Sequence, residues 1–129
     1  MSNEPDERTV ELANQLCDLA RDGETAALAA YVDAGVPVDL TNAKGDTLLI
    51  LAAYHDHPDT VRALLERGAD TERLNDRGQT ALVAAVFKQS TAVDDLLAAG
   101  ADPALGSPSA VATADFFDLP EMRAKLTAR

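Results

Sequence analysis

Aromatic residues are scarce in this chain. It has no tryptophan, and its 129 residues include only five aromatic ones, namely Tyr31, Tyr54, Phe87, Phe116 and Phe117. Large globular cores usually draw on aromatic side chains, so a core here must be built mainly from Leu, Val and Ala. Because 47% of the residues are hydrophobic and 26% are charged, the chain is nevertheless expected to fold. Small core side chains favour thin helices that stack closely.

The sequence also lacks a second cysteine, a secretory signal and a long apolar run. Cys17 stands alone, so the fold does not depend on a disulfide within the chain. The opening residues, MSNEPDERTV, have neither a basic start nor an apolar stretch. No apolar run approaches the roughly 18 residues of a membrane-spanning helix. We therefore expect a cytoplasmic protein that is neither exported nor inserted into a membrane.

Basic residues are outnumbered two to one. Eleven Lys and Arg against 22 Asp and Glu give a formal net charge of -11. Such a charge repels phosphate backbones and anionic lipid surfaces. We therefore expect neither nucleic acid nor a membrane as a partner. The charge is interpreted as an aid to solubility or, alternatively, as an attraction to a basic partner protein.

Catalytic motifs and metal-binding constellations are missing as well. The sequence has no P-loop, no dinucleotide-binding glycine motif, no zinc-protease motif and no nucleophile elbow. His55 and His57 are two residues apart, and a metal site needs three or four converging ligands. Asp94 and Asp95 are adjacent and diverge on a helix, and Cys17 has no histidine nearby to act as its base. We expect no enzymatic activity, no metal and no cofactor, with adventitious metal binding by the two histidines as the alternative.

What the sequence does contain is an internal repeat. The segment GDTLLILAAYHDHPDTVRALLERGAD begins at Gly45, and GQTALVAAVFKQSTAVDDLLAAGAD begins at Gly78, 33 residues later. The second segment is one residue shorter, with the gap between Phe87 and Leu96. Each unit has two short apolar stretches at helical spacing, separated by a polar break and followed by a loop rich in Asn, Asp and Gly. Neither helix is long enough to be stable alone, so adjacent units must pack on one another.

These units resemble the ankyrin repeat, whose consensus is G-x-T-P-L-H-x-A-A-x-x-G-H followed by V-x-x-L-L-x-x-G-A-D. The unit that starts at Gly45 matches the consensus at twelve positions: Gly45, Thr47, Leu49, Ala52, Ala53, His57, Val61, Leu64, Leu65, Gly68, Ala69 and Asp70. It departs from it at Leu48, Ile50 and Asp56, and the next unit departs at Ala81, Val83 and Val86. The resemblance implies an all-α ankyrin-repeat solenoid of four helix-turn-helix repeats joined by turn-containing loops, with degenerate end repeats. It also makes His57 part of the turn between two helices.

The resemblance predicts where the repeats begin and end. We expect an N-terminal tail at residues 1–7 and a single domain at 8–129, with repeats at about 8–44, 45–77, 78–106 and 107–129. In the first repeat, Leu28 and Tyr31 occupy core positions of the second helix. In the fourth, Ser107 takes the place of the leading glycine, and Leu126 is a core residue.

The aromatic residues fall at one place in the repeat. Counted from the first residue of each unit as zero, Tyr54, Phe87 and Phe116 all lie at position 9, and Phe117 lies at position 10. In ankyrin repeats these positions end the first helix on the concave face, so the resemblance implies a ladder of rings there. The alternative is that the rings pack on one another and serve stability only.

The same register supplies neighbours for the rings. His55 and Lys88 would flank the ladder, and loop residues would form a polar rim around it. For Asn42 and Asn75 in that rim, ordinary turn chemistry is the alternative. The candidate partner-binding residues are Tyr54, His55, Phe87, Lys88, Phe116, Phe117, Lys44, Asp46, Arg77 and Gln79.

Two functions are compatible with these features. The first is that of a small stand-alone ankyrin-repeat protein of bacterial type, a non-enzymatic module that binds a partner protein through its concave face and loop tips. The second is that of an acidic inhibitor or antitoxin-like regulator that masks a basic site on its partner. Binding through the rings would depend little on salt, whereas binding through the acidic surface would weaken steeply with salt. We expect a monomer, with self-association through an apolar surface as the alternative.

Overall fold

The computed structural model describes residues 7–128, which form eight helices in four consecutive pairs. Residues 7–128 contain no strand, only two isolated β-bridges. None of the helices in this range is both long and apolar enough to cross a bilayer. The predicted all-α fold is thus confirmed. The helices are α1 Glu7–Asp22, α2 Thr25–Asp33, α3 Leu48–Tyr54, α4 Pro58–Glu66, α5 Ala81–Phe87, α6 Ala92–Ala98, α7 Ala110–Phe116 and α8 Pro120–Thr127.

Most of the predicted tail, residues 1–6, and the last residue, Arg129, lie outside the described residues. Glu7, which we expected in that tail, already belongs to α1. Each of the four predicted repeat ranges contains one helix pair, while the boundaries themselves stay a prediction.

The helices form two layers. The first helices of the pairs, α1, α3, α5 and α7, stack on one another, and α2, α4 and α6 stack beside them. Each first helix also packs on the second helix of its own pair. The core between the layers is made of Leu, Val and Ala, and all five aromatic residues are exposed. Among the described residues, the core therefore contains no aromatic side chain, which agrees with the scarcity of such residues in the sequence.

The first helices begin in the same way in three repeats. Thr47, Thr80 and Ser109 are N-caps, and each hydroxyl accepts a hydrogen bond of 3.1 to 3.2 Å from the backbone N–H three residues later. This bond satisfies one of the amides that a helix start leaves without a partner. Ser109 follows Ser107 by two residues, as Thr47 follows Gly45, so α7 begins at the same distance from Ser107 as α3 does from Gly45.

The turn inside each pair uses a left-handed residue, at Gly23, Asp56, Gln89 and Asp118, with φ between 52° and 70°. In the second repeat, His57 follows this residue and Pro58 begins α4. Nε2–H of His57 donates to the backbone carbonyl of Arg21 across 2.7 Å, so it connects the first two repeats. Its ring also fills the space beside Gly23, where an added Cβ would come within 2.6 Å of Nδ1. The interpretation of His57 as a structural turn residue is confirmed.

Tyr31 corrects one prediction. We expected both Leu28 and Tyr31 in the core of α2, but Leu28 is 1% exposed and Tyr31 is 41% exposed. At the matching position of the next repeat, Leu64 is buried because α4 lies between α2 and α6. The described residues include no helix pair before α1 and α2, so the Tyr31 ring has nothing on that side to cover it.

Candidate partner-binding surface

A row of aromatic rings crosses the ends of three first helices. Tyr54 ends α3, Phe87 ends α5, and Phe116 and Phe117 lie at the end of α7. The Tyr54 and Phe87 rings stack with centroids 6.0 Å apart and planes 5° apart. Phe117 meets Phe87 at 5.6 Å and 70°, and Phe116 meets Phe117 at 4.9 Å and 83°. We call Tyr54, Phe87 and Phe117 the aromatic ladder.

The ladder differs from the expected one in its last member. Phe117, at repeat position 10, stacks on Phe87, whereas Phe116 is 82% exposed and touches the ladder only through Phe117. The fourth repeat is the last one described, so Phe116 has no later ring to stack on. Tyr54, Phe87 and Phe117 remain 36%, 46% and 46% exposed. The rings therefore pack on one another and still present open surface.

Lys88 and His55 flank the ladder as expected. Nζ of Lys88 lies 4.8 Å from the centroid of the Tyr54 ring and 5.8 Å from that of Phe87, which places its charge against both rings. The His55 ring meets Tyr54 edge to face at 5.2 Å. Partial burial and then the charges of Arg21, His57 and Lys88 lower the pKa of His55 below its ordinary 6.5, against the opposite effect of Asp22. Positive charge therefore collects at this end of the ladder.

Two hollows adjoin the ladder. The first, of about 360 Å³, lies between the loops and the first helices. The second, of about 450 Å³, lies between α5 and α7, and Gln79 lines both. The first brings together the predicted residues Lys44, Asp46, Tyr54, His55, Arg77 and Gln79, and the second brings together Gln79, Phe87, Phe116 and Phe117. We call the two hollows and the ladder the inner face; of the predicted site residues only Lys88 lines neither hollow.

Asp46 does not belong to an exposed rim, and that prediction is wrong for its side chain. The residue is 7% exposed, and its Oδ1 accepts a 2.8 Å hydrogen bond from Nδ2 of Asn75 in the next loop. Asp46 therefore links successive loops.

Asn42 and Asn75 hold the loops in shape, as ordinary turn chemistry predicts. Oδ1 of Asn75 accepts from the backbone N–H of Arg77 at 3.0 Å and of Gln79 at 2.9 Å. Oδ1 of Asn42 accepts in the same way from Lys44 at 2.9 Å and from Asp46 at 3.0 Å. These bonds fix the backbone of Lys44 and Arg77 at the loop tips.

Two residues of α1 that were not predicted from the sequence also line the first hollow. Asn14 and Arg21 belong to the degenerate first repeat. The signal was present, because Arg21 precedes Tyr54 by 33 residues and so occupies the same repeat position as the rings.

The described residues show neither an accessible thiol nor a cluster of metal-binding side chains. Cys17 is 1% exposed, and burial raises the pKa of its thiol above the ordinary 9.0, which disfavours the reactive thiolate. Within residues 7–128, no three His, Cys, Asp or Glu side chains come together as a metal site.

Comparison with known families and proteins gives one consistent result. The family model described as "Ankyrin repeats (3 copies)" matches residues 12–106. An ankyrin repeat protein of Pseudomonas aeruginosa is 51% identical over 59 residues, which are 46% of this chain and 34% of that protein. Human ankyrin repeat domain-containing protein 29 is 45% identical over 60 residues, 46% of this chain and 20% of that one. The chain thus spans at most about a third of the length of these relatives.

A solved structure agrees with these matches. The crystal structure of the human ASB11 ankyrin repeat domain superimposes with a TM-score of 0.76 at 30% identity, covering 88% of this chain and 52% of the other. Since the family model covers well over half of the residues and the folds agree, this chain belongs to the ankyrin-repeat family.

Proposed function

We propose that the protein is a non-enzymatic interaction module that binds a partner protein through the inner face. Ankyrin repeats are in general protein–protein interaction modules, so the family supports a protein partner. The observation that carries the choice of surface is the aromatic ladder, in which rings pack on each other and keep a third or more of their surface exposed. We also propose a cytoplasmic monomer whose partner is neither nucleic acid nor a membrane, on the grounds of the net charge and the lone cysteine.

The ladder suits binding because its rings are held before a partner arrives. Stacking of Tyr54 between His55 and Phe87 restricts its side chain, so little rotational freedom remains to be lost on association. Aromatic side chains dominate the energetically important centres of interfaces, where truncation of one often costs about 2 kcal/mol or more. A pre-ordered aromatic centre is therefore the strongest candidate for the contact that holds a partner.

The loops supply a matching rim. Their tips are fixed by the hydrogen bonds of Asn42 and Asn75. The side chains of Lys44 and Arg77 are exposed, and neither makes an ion pair or hydrogen bond to another described residue. Charged groups that are exposed and held on a rigid backbone are suited to steer a partner and to fix its orientation.

The alternative, an acidic inhibitor or antitoxin-like regulator, rests on a different observation. The net charge of -11 is carried mainly by exposed carboxylates outside the inner face, which could mask a basic site on another protein. Its binding would depend on long-range attraction and would weaken steeply between low and high salt.

One experiment separates the two functions. The wild type and a Tyr54→Ala/Phe87→Ala variant are used to capture proteins from lysate of the source organism at low and at high salt. Tyr31→Ala is the matched control, because Tyr31 is an aromatic residue of similar exposure on α2, away from the inner face. We expect a protein that the double variant loses, the control keeps and high salt does not release. A protein indifferent to the double variant and released by salt would move the function to the acidic surface.

A further inference from the structure

The charges of this acidic protein are not spread evenly over its surface. Outside the inner face, the basic side chains between α4 and α8 are paired with carboxylates of the same or the neighbouring repeat, whereas Arg8 of α1 makes no ion pair with a described residue. Arg67 contacts Asp33 at 2.9 Å, and Lys125 contacts Asp94 at 3.3 Å. The other pairs of this kind are Arg62 with Asp59 and Asp95, Arg73 with Asp70, and Arg123 with Asp115. In these places the charge of the base is already balanced.

On the inner face the bases lack such partners. Lys44 and Arg77 make no ion pair with any residue in the described range, and Lys88 lies against aromatic rings instead of a carboxylate. The guanidinium of Arg21, the fourth base there, pairs only with the carboxylate of Asp18, an exposed neighbour on the same helix, at 2.7 Å. Exposed pairs of this type contribute little and are readily exchanged.

Carboxylates are correspondingly rare on the inner face. Asp46 is the only one that lines the first hollow, and its oxygens are turned to Asn75 and Asn42 within the loop array. No carboxylate lines the second hollow. Asp76 lies next to Arg77 at the loop tip but lines neither hollow. A region of positive charge thus lies within a protein whose net charge is -11.

We infer that the inner face binds an acidic peptide segment of a partner protein, with carboxylates against Lys44, Arg77 and Arg21 and an apolar side chain in the second hollow. This inference rests on the proposed function and gives it a partner chemistry. The second hollow suits an apolar side chain because Val83, Phe87, Pro108, Ala112 and the two other Phe rings line it. Since Gln79 lines both hollows, one short segment can reach the cations and the apolar space together.

The arrangement favours a peptide over other anions. Phosphates of a nucleic acid would also attract these cations, but a nucleic acid would bring many phosphates against the acidic outer surfaces, where they are repelled. A short carboxylate-bearing segment confines its charge to the place where the protein is positive. The apolar hollow next to the cations adds a contact that a phosphate backbone does not use.

A displayed library of short random peptides tests the inference, because the net charge alone would select basic peptides. The library is selected at physiological salt on the wild type, on Lys44→Gln/Arg77→Gln and on Phe87→Ala. The control is Arg73→Gln/Lys125→Gln, which removes the same two kinds of charge from outer surfaces where both bases are paired. Lys44 and Arg77 make no side-chain contact that holds the fold, and a thermal melt of each variant checks that it is folded.

We expect wild type and control to select peptides rich in Asp and Glu with at least one aromatic or aliphatic residue. A synthesised member of that set should bind about tenfold more weakly to Lys44→Gln/Arg77→Gln, since two exposed charge pairs are lost, and more weakly to Phe87→Ala. Its affinity for the control should be unchanged.

The other outcomes overturn the inference in distinguishable ways. Selection of neutral or basic peptides that need Phe87 but not Lys44 and Arg77 would refute the acidic partner and leave the proposed function intact. Failure to select any peptide that depends on Phe87 would refute both. Displacement of the synthesised peptide by an oligothymidylate that binds more tightly and needs Lys44 and Arg77 would assign the cations to phosphate instead.

Discussion

The two middle repeats and the two end repeats share a plan but differ in how much they bury. In α3 and in α5, six of seven residues are buried, whereas α7 buries three of seven and the longer α1 buries three of sixteen. The middle helices have a neighbour on each side within their layer, and the end helices have one. Because stability in such an array is a sum of interfaces between neighbours, it is concentrated in the middle. Two of the three ladder rings, Tyr54 and Phe87, lie on these middle repeats.

The same difference is seen at a single repeat position. One position in the last turn of the second helix is occupied by Tyr31, Leu64, Leu96 and Leu126 in the four repeats, with 41%, 1%, 0% and 4% exposure. The C-terminal end therefore covers its residue almost as well as the middle does, and the N-terminal end does not. The two ends are not equivalent, because at this repeat position the first repeat has an exposed side chain and the fourth has a buried one.

The largest expected effect is the loss of a middle leucine. Leu64→Ala should lower the free energy of unfolding by about 2–5 kcal/mol, because it leaves a cavity between repeats that neighbouring helices cannot fill. Tyr31→Ala, at the same position of the first repeat, should cost less, about 1 kcal/mol, because 41% of the residue is already exposed and less apolar surface leaves the core. Urea unfolding followed by circular dichroism measures both. Equal losses for the two variants would refute the difference between middle and end.

A smaller effect is expected in the loops. Asn75 is 6% exposed, and Asn75→Ala would leave the buried Asp46 carboxylate and two backbone amides without their partner. Loss of such hydrogen bonds should cost about 1–3 kcal/mol. Asn42→Ala is the matched control, since Asn42 makes the same turn in the first loop but is more exposed, so water can replace its bonds. Urea unfolding should give a smaller loss for Asn42→Ala; the reverse order would mean that Asp46 is not held mainly by Asn75.

The helix pairs of the middle repeats were predictable because local signals and the repeat agree there. Thr47 and Thr80 cap helices two residues after Gly45 and Gly78, the first glycines of their units. Asp56 has a positive φ of 60° at the position where the consensus has the glycine between the two helices. The ends were less predictable, because burial at a given repeat position depends on whether another repeat covers it. Tyr31 is exposed because residues 7–128 contain no further repeat on its side, which a pattern of residues within one repeat does not reveal.

The candidate site was predictable in position but not in charge. Positions 9 and 10 of the repeat located the rings, and position 9 of the first repeat is Arg21, which lines the first hollow. The role of Asp46 depends on Asn75, 29 residues later, which only the contact between successive loops brings together. The net charge of -11 favours a basic partner, whereas the unpaired bases lie together only once three repeats are stacked. The net charge of the whole sequence therefore does not determine the local charge of this surface.

The smallest expected effect is on the pKa of His55, which depends in part on the charge of Arg21 in the first repeat. Among the charged groups that lower the pKa of His55, Arg21 of the first repeat ranks before Lys88 of the third, after the main effect of partial burial. Of the other groups, His57 acts in the same direction and Asp22 opposes it. Lys44, Arg77 and Asp46 line the same hollow.

The sign of the pH effect follows from this shift. A histidine whose pKa is lower in the folded protein binds its proton more readily when unfolded, so its contribution to stability is complete above pH 6.5 and is lost as the pH falls through the folded-state pKa. An NMR titration of the imidazole resonances, with a His55→Gln variant to assign them, should give a pKa below 6.5 for His55. Arg21→Gln should raise it more than Lys88→Gln does, and Arg73→Gln, which removes a distant charge, should leave it unchanged. A larger rise of the His55 pKa in Lys88→Gln would contradict this order. It would mean that Lys88 of the third repeat affects the imidazole more strongly than Arg21 of the first repeat does.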